Sequence, residues 1–248
     1  MEREVRPLIK TWPFNEQLFS GREFRCYESG DAVLVCGGIG ADAARLATET
    51  IISLYRPNLV VSVGYAGALN ATQRVGEVIM PSRVIDMHDG GITETHQGEG
   101  ILLSVSNIAG VGQKATLAAT YEASAVDMEA AAVACVARAH GLDFTAIKVI
   151  SDEFDFALPA MDKFIDSNGQ FRSVGFSFYA AVRPWLWPHV VQLARNSAKA
   201  SSALCYKLAV FIAENARSGE TTQAATLDSF AGLEHQTTIK RSMETIRK

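Results

Sequence analysis

Short apolar runs rich in valine and isoleucine alternate along the chain with alanine-rich segments whose apolar residues recur at helical spacing. Such runs between turn residues are typical of buried strands, and the helical segments between them are typical of crossover connections. The predicted strands are Ala32–Cys36, Leu59–Val63, Glu77–Ile85, Ile101–Val105 and Phe144–Ile150, and the predicted helices lie near Asp42–Tyr55, Lys114–Glu122 and Met128–His140. This order predicts an α/β fold, a three-layer α/β/α arrangement around a mixed, mostly parallel central sheet.

The length and composition of the chain favour one large domain. With 248 residues, 48% of them hydrophobic, the chain is long enough to bury a substantial core. After Arg217 the composition shifts to threonine, glutamine and serine, with few large apolar residues. We therefore predict a domain over residues 1–217 and a polar, disordered tail over residues 218–248.

Charge and cysteine usage narrow the function classes. A net charge of -4 argues against a broad nucleic-acid-binding surface, so no nucleic-acid partner is predicted. The four cysteines lie far apart and form no C-x-x-C pair, so neither a zinc site nor a redox site is predicted. The N-terminus lacks an apolar signal core, and polar residues interrupt every hydrophobic run before it reaches membrane-spanning length. A cytoplasmic protein is the resulting expectation.

Three predicted strand ends carry residues suited to a ligand, because ligands on open α/β sheets gather at the carboxyl ends of strands. These segments are Gly37–Ala41, Gly64–Leu69 and Ser151–Asp155. Glycines that open a helix can hold an anion or a sugar hydroxyl, but the first segment fits neither a dinucleotide fingerprint nor a P-loop. Taken singly, the first two segments fit a tight turn as well as a binding loop, and Ser151–Asp155 better fits a helix cap. Glu129, in the first turn of a predicted helix, taken singly better fits a residue that favours the helix dipole.

Together these segments resemble the nucleoside phosphorylase and nucleosidase superfamily, in particular its 5'-methylthioadenosine/S-adenosylhomocysteine nucleosidase-like branch. The resemblance rests on residues 1–5, 38–40, 63–69, 75–78, 126–130 and 150–152. Its most specific part is the Met-Glu-Ala helix start at Met128, followed about twenty residues later by Ser151 and Asp152. Residues 184–197 resemble the hopanoid-associated phosphorylase subgroup, which is linked to the removal of adenine from adenosylhopane.

The resemblance implies two catalytic residues, Asp152 and Glu4. Asp152 would protonate or hydrogen-bond N7 of the purine, so that the base leaves neutral, and Glu4 would orient the attacking water. Cleavage of a ribosyl C–N bond through an oxocarbenium-like transition state needs an acid on the base, a hydrogen-bonded ribose and a placed nucleophile. Glu129 would hold the ribose hydroxyls, with Met128 packed against the sugar.

The remaining substrate-binding residues implied by the resemblance lie on four segments. They are Gly38, Tyr65, Ala66, Gly67, Ile108, Ala109 and Ser151. Residues 104–109 fall where family members face the purine, with backbone groups reading its edge.

Two departures from the family pattern matter. Family members begin with a β-strand that leads into the position of Glu4, whereas Met1 stands almost at the end of that strand, so we predict that the first strand is missing. Tyr65 replaces a small residue that faces the nucleophile, and Ser62 stands where hexameric phosphorylases carry a phosphate-binding arginine. The second departure counts against phosphorolysis. Phosphate stays open as a co-substrate, and no metal or other cofactor is implied.

The leading functional interpretation is an enzyme that releases adenine from an adenine nucleoside, with adenosylhopane as the substrate implied by the subgroup. A methylthioadenosine/S-adenosylhomocysteine nucleosidase of methionine salvage is the alternative, and a non-catalytic nucleoside-binding relative is the third. The resemblance implies a homodimer. Residues 171–195 interleave aromatic residues such as Trp185 and Trp187 with arginines, which predicts peripheral membrane contact. The same composition fits core or dimer packing.

Overall fold

The fold is known from a computed structural model that describes residues 1–95, 97–158, 161–166 and 169–245, with the backbone alone for Asp162 and for residues 218–245. The chain divides into two compact units, Met1–Lys207 and Leu208–Lys248. All predicted site residues belong to the first unit. The predicted tail at 218–248 is described only as helical backbone as far as Thr245, and its side chains lie outside the described residues. The proposed boundary at residue 217 and the disorder beyond it stay predictions.

In the described residues, ten strands form two sheets. In chain order they are β1 (Phe14–Phe19), β2 (Arg22–Ser29), β3 (Ala32–Val35), β4 (Leu59–Ala68), β5 (Val78–Ile79), β6 (Arg83–Asp86), β7 (Ile92–Glu94), β8 (Ile101–Ser104), β9 (Ala125–Asp127) and β10 (Asp143–Asp152). The larger sheet has seven strands in the order β5-β10-β4-β9-β8-β6-β7. Its parallel pairs are β4–β10, β6–β8 and β8–β9, and its antiparallel pairs are β5–β10, β4–β9 and β6–β7. The predicted α/β class with a mixed central sheet is confirmed.

The helices are α1 (Glu2–Ile9), α2 (Ala41–Tyr55), α3 (Val111–Tyr121), α4 (Ala130–Ala139), α5 (Ser173–Ala181) and α6 (Trp187–Thr245), with 3₁₀ turns at Asp162–Phe164 and Pro184–Leu186. The main core lies where α2 and α4 pack with the large sheet. Alanines fill the buried face of α4, so this helix approaches its neighbours closely. A second cluster joins Leu117 of α3 to β8 and β9. Within the described residues, none of the helices combines the length and the apolar character that crossing a bilayer requires.

Three local predictions were wrong. The single strand predicted over Glu77–Ile85 is two strands, β5 and β6, because Pro81 between them has no N–H to donate to a ladder. The predicted exit turn after Val63 is instead a continuation of β4 as far as Ala68, since β10 pairs with it throughout. Glu129, predicted in the first turn of α4, is the N-cap residue of that helix.

The sequence interpretation missed the small sheet, whose strand order is β1-β2-β3. Ser20 and Gly21 turn the chain between β1 and β2 with φ values of 48° and 78°, the left-handed pair that a tight hairpin needs. More than half of the β1 residues are exposed, so the strand shows little contrast between apolar and polar positions. A hairpin of this kind leaves a weak signal in the hydrophobic pattern.

One edge of β4 is only partly paired. β10 follows one edge from Leu59 to Gly67, whereas β9 pairs with the other edge only at Gly67 and Ala68. In the part of the chain that the structure describes, no strand pairs with the rest of that second edge. The residues that follow Met1 form α1, which brings Glu4 to this region of the sheet.

Candidate active site

Asp152 is the last residue of β10 and is almost fully buried. Both of its carboxylate oxygens accept hydrogen bonds: Oδ1 accepts from the Ser151 hydroxyl at 2.7 Å, and Oδ2 accepts from the Lys114 ammonium at 2.5 Å. Lys114 Nζ also donates to the carbonyl oxygen of Glu153 at 2.9 Å. A buried charge pair of this kind holds its geometry only when both partners are hydrogen-bonded, and here both are.

Gly67 of β4 makes room for this pair. A Cβ atom on Gly67 would lie 2.9 Å from Asp152 Oδ2 and 3.1 Å from Lys114 Cε, closer than side-chain carbons come to such atoms. The register between β4 and β10 also shifts between Ile150 and Asp152. Irregularities of this kind re-aim a side chain at the end of a strand. The predicted binding residues Gly67 and Ser151 therefore shape the surroundings of Asp152, and Ala66 adds a carbonyl oxygen 3.5 Å from the Ser151 hydroxyl.

A second buried charge pair joins Lys148 of β10 to Asp127 of β9. Lys148 Nζ lies 2.8 Å from Asp127 Oδ2, and neither side chain is exposed by more than 1%. Burial opposes the charge of Lys148, but the carboxylates of Asp127 and Glu129 outweigh it and raise the pKa of this lysine. Asp127 also accepts from the Ser104 hydroxyl at 2.6 Å and from the N–H of Ala130 at 2.9 Å, so it holds the first turn of α4 as well.

Glu129 stands beside this pair at the start of α4 and is partly exposed. Its Oε1 accepts the N–H of Gly40 at 2.8 Å, which ties it to the glycine turn that opens α2. Burial raises the pKa of Glu129, and the neighbouring charge of Asp127 raises it further, against the lowering effect of Lys148. The structure thus joins Glu129 to the Gly37–Ala41 turn.

Glu4 reaches the same cluster from α1. Its Oε2 lies 3.4 Å from the place that a Cβ on Gly64 would occupy, and Lys148 Nζ lies 3.7 Å from the same place. Its Oε1 lies 3.1 Å from the Met1 nitrogen, and its backbone carbonyl accepts from the Ser201 hydroxyl of α6 at 2.8 Å. Glu4, Asp127 and Glu129 therefore all lie near the ammonium group of Lys148.

Tyr65 faces this cluster but is also bonded elsewhere. Its hydroxyl donates to the carbonyl oxygen of Ser197 on α6 at 2.8 Å. Burial raises the pKa of Tyr65, and the nearby charge of Glu4 adds to the effect. Tyr65 is thus a neutral hydroxyl group next to Glu4.

The other predicted binding residues occupy the expected segments, and no contact of theirs assigns a ligand role. Met128 packs on the cluster of Leu103 and Val105. Ala109 is buried in the same cluster, and Ile108 beside it is partly buried. Gly38 has φ 114°, a value that favours glycine, in the turn before α2.

The structure therefore gathers the predicted residues into two groups on neighbouring strands. Asp152, Ser151 and Gly67 form one group with Lys114, and Glu4, Glu129 and Tyr65 form the other around Lys148. Gly67 lies beside the first group and Gly64 beside the second. The two glycines are three residues apart on β4, about 10 Å along the strand. The first group contains a proton donor, Lys114, beside a proton acceptor, Asp152. The second group contains carboxylates that can accept hydrogen bonds from hydroxyl groups. Among the described residues, no group of three or more His, Cys, Asp or Glu side chains is arranged to hold a metal ion.

Two residues of these groups were missed from the sequence, Lys114 and Lys148. Lys148 left a usable signal, because it is the one charged residue inside the apolar run Phe144–Ile150 and a buried lysine requires a carboxylate partner. Lys114 left none, since a lysine near the start of a short helix is ordinarily solvated.

A family model described as the phosphorylase superfamily matches residues 1–114 and 108–174, more than half of the chain. The chain belongs to the phosphorylase superfamily. The matched ranges of this superfamily member contain every residue of the two groups described above, which all lie between Glu4 and Asp152.

Similar proteins of this superfamily carry one recurrent name. The chain is 28% identical over 192 residues to a 5'-methylthioadenosine/S-adenosylhomocysteine nucleosidase of Marinomonas sp., a match that covers 61% of this chain and 82% of the relative. A nucleosidase of the same name from Listeria innocua is also 28% identical, over 193 residues, 61% of this chain and 83% of the relative.

Solved structures show the same fold. A methylthioadenosine/S-adenosylhomocysteine nucleosidase of Colwellia psychrerythraea, in complex with adenine, superposes with a TM-score of 0.56 at 23% identity and covers 62% of this chain and 81% of its own. The futalosine hydrolase of Helicobacter pylori superposes with a TM-score of 0.58 at 19% identity and covers 82% of this chain and 92% of its own.

Proposed function

We propose that this protein cleaves the N-ribosidic bond of an adenine nucleoside and releases adenine. The observation that carries the proposal is the pair of charge groups along β4: the Asp152 group at Gly67, and the Glu4 and Glu129 group at Gly64. An acid at one end and hydroxyl-binding carboxylates at the other are what ribosyl C–N cleavage requires. The recurrent nucleosidase names among the relatives support the same reaction class.

In this proposal Glu129 accepts hydrogen bonds from the ribose hydroxyls, and Met128 packs against the sugar. Glu4 orients the attacking water from the opposite side of the Lys148 cluster. Asp152 protonates or hydrogen-bonds N7 of the purine, so that adenine departs as a neutral base. Residues 104–109, between β8 and α3, lie where their backbone groups would read the purine edge.

The test is adenine release from a panel of nucleosides. The panel contains methylthioadenosine, S-adenosylhomocysteine, adenosine and an adenosine with a large apolar 5' extension, each with and without inorganic phosphate. We expect release from at least one member, and independence from phosphate would assign hydrolysis. Failure to release adenine from all four would contradict the proposal and favour a non-catalytic nucleoside-binding protein.

One exposed surface bears on the choice of substrate. Val174, Phe178 and Val182 follow one another at four-residue spacing along α5 and its C-cap, so they share a helix face, and they are 84%, 72% and 54% exposed. Trp185, in the turn that follows, is 70% exposed. Residues 167–207 contain five basic residues and no acidic one, although the whole chain carries a net charge of -4. Apolar side chains on a stretch that has basic but no acidic residues suit an anionic lipid surface.

We therefore propose, as the finer function, that the substrate is an adenine nucleoside with a large apolar 5' extension, such as adenosylhopane, drawn from a membrane at this surface. Methylthioadenosine or S-adenosylhomocysteine is the alternative substrate, which the names of the relatives favour. Faster adenine release from methylthioadenosine than from the extended adenosine would decide for the alternative. The homodimer implied by the resemblance stays a prediction.

The membrane contact has its own test, co-sedimentation with vesicles. We expect the protein to sediment with vesicles that contain anionic lipid, less with zwitterionic ones, and less again as salt is added. The variant Phe178→Ala/Trp185→Ala should lose most of this binding. Trp187 is left in place because its indole N–H donates to the carbonyl oxygen of Ala180 at 3.1 Å.

The matched control is Leu18→Ala, which removes an apolar side chain that is 78% exposed on β1, outside the acid-free stretch. It should sediment like the wild type. Equal losses in both variants, or no sedimentation of the wild type, would contradict a lipid-binding role for α5.

A further inference from the structure

Lys114 is a buried cation that the roles described so far do not use. It lies in the first turns of α3 and is only 1% exposed. Its ammonium group touches Asp152 Oδ2 at 2.5 Å and the Glu153 carbonyl oxygen at 2.9 Å. A lysine is almost never buried to this degree unless its charge is needed there, because a buried charge is costly to desolvate.

The contacts of Asp152 raise a chemical problem for leaving-group protonation. Both of its oxygens accept hydrogen bonds, one from Ser151 and one from Lys114, so the group stands as a carboxylate and carries no proton to give. Adenine needs a proton at N7 to leave as a neutral base. Among the contacts of Asp152, the ionisable proton is the one on Lys114 Nζ, directly against Oδ2.

We propose that Lys114 stores the proton that Asp152 delivers to the purine. As the C1'–N9 bond breaks, Lys114 Nζ gives one proton to Asp152 Oδ2 and becomes a neutral amine, while Asp152 passes a proton to N7. Water adds its oxygen to C1' and loses one proton to Glu4, which returns it to solvent. Lys114 then takes up one proton from solvent, so that the sum is water plus nucleoside giving ribosyl product plus adenine.

This assignment rests on the proposed function and deepens it. Lys114 acts through Asp152 and is therefore a positioning residue rather than one that touches the substrate. The absence of a side chain at Gly67 supports the assignment, because a Cβ there would lie 3.3 Å from Lys114 Nζ and crowd the transfer path.

The test compares Lys114→Met with the wild type on two kinds of leaving group. Adenine needs a proton to leave, whereas 4-nitrophenolate leaves without one. We expect Lys114→Met to lower kcat for adenine release by about a hundredfold while it cleaves 4-nitrophenyl β-D-ribofuranoside at close to the wild-type rate. Lys114→Arg keeps the cation, but an arginine seldom gives up its proton. Relative to Lys114→Met, this variant should therefore regain the melting temperature of the wild type but not its adenine release.

Two outcomes would overturn the relay while leaving the proposed function in place: undiminished adenine release by Lys114→Met, or equal losses on both leaving groups. If Lys114→Met fails to fold, Lys114→Gln takes its place with the same expected ratios, since its amide still donates to Asp152 and Glu153 but holds no titratable proton. Lack of adenine release by the wild type would instead overturn the proposed function, and the relay with it.

Discussion

Asp152→Asn is expected to lower adenine release by about a hundredfold or more, because the variant cannot pass a proton to N7. The sequence alone predicts that the fold is untouched by this change. The structure adds that the amide would leave the buried ammonium of Lys114 without its counter-charge. Removing one partner of a buried pair ordinarily costs about 3–5 kcal/mol, so we expect a lower melting temperature as well.

The double variant Asp152→Asn/Lys114→Met separates the two effects. It removes both charges together, so its melting temperature should recover toward that of the wild type while adenine release stays low. Assays of release and thermal melting on the single and double variants check this. Near-normal turnover by the single variant Asp152→Asn would contradict a role of Asp152 in leaving-group protonation.

Glu129→Gln is expected to lower kcat/KM for ribosides by about tenfold to a hundredfold, the equivalent of 1.5–3 kcal/mol for a hydrogen bond to a charged group. The amide has one acceptor oxygen, and the Gly40 N–H already occupies one oxygen of Glu129 at 2.8 Å. A glutamate that only favoured the helix dipole would change stability by a few tenths of a kcal/mol and leave turnover alone. Nucleosides that lack the 2'-hydroxyl should lose less from the substitution than ribosides do. Equal losses would contradict hydroxyl binding.

The same residue predicts a pH dependence. Because burial and Asp127 raise the pKa of Glu129, the ionised form that accepts from two hydroxyls is lost at a higher pH than for an ordinary glutamate. The wild-type kcat/KM should therefore fall as the pH is lowered, beginning above the usual glutamate range near pH 4.3. In Glu129→Gln this decline should be absent, and pH profiles of the two proteins provide the measurement.

The parts of the fold that the sequence predicted are those where burial decides the structure. Leu59–Val63 and Phe144–Ile150 are mostly apolar runs, and they became the central parallel pair β4 and β10. The β1–β2 hairpin was missed because β1 is largely solvent-facing, so cross-strand pairing with β2 rather than burial specifies this strand. Pro81 could have divided the predicted strand Glu77–Ile85 from the sequence alone.

Some residues of the candidate site could be predicted from the sequence, and others could not. Asp152 and Glu129 stand at strand and helix ends, where sequence patterns are informative, and the structure gives Asp152 the buried partner Lys114 and Glu129 the N–H of Gly40. Lys114 becomes significant only because the register shift near Ile150 and the bare backbone of Gly67 bring Asp152 against α3. Long-range placement of this kind has no local signature, because it depends on how two strands and a helix meet.

Asp127 differs from the residues around it in having both a structural and an electrostatic role. Its carboxylate closes the first turn of α4, accepts from Ser104 and balances Lys148, so one side chain serves the architecture and the charge cluster together. A lineage that abandoned this chemistry would be free to drift at Asp152 and Glu4 long before it could drift at Asp127. Descendants without activity would then still carry Asp127 and Lys148, and those two residues alone would be a misleading mark of an enzyme.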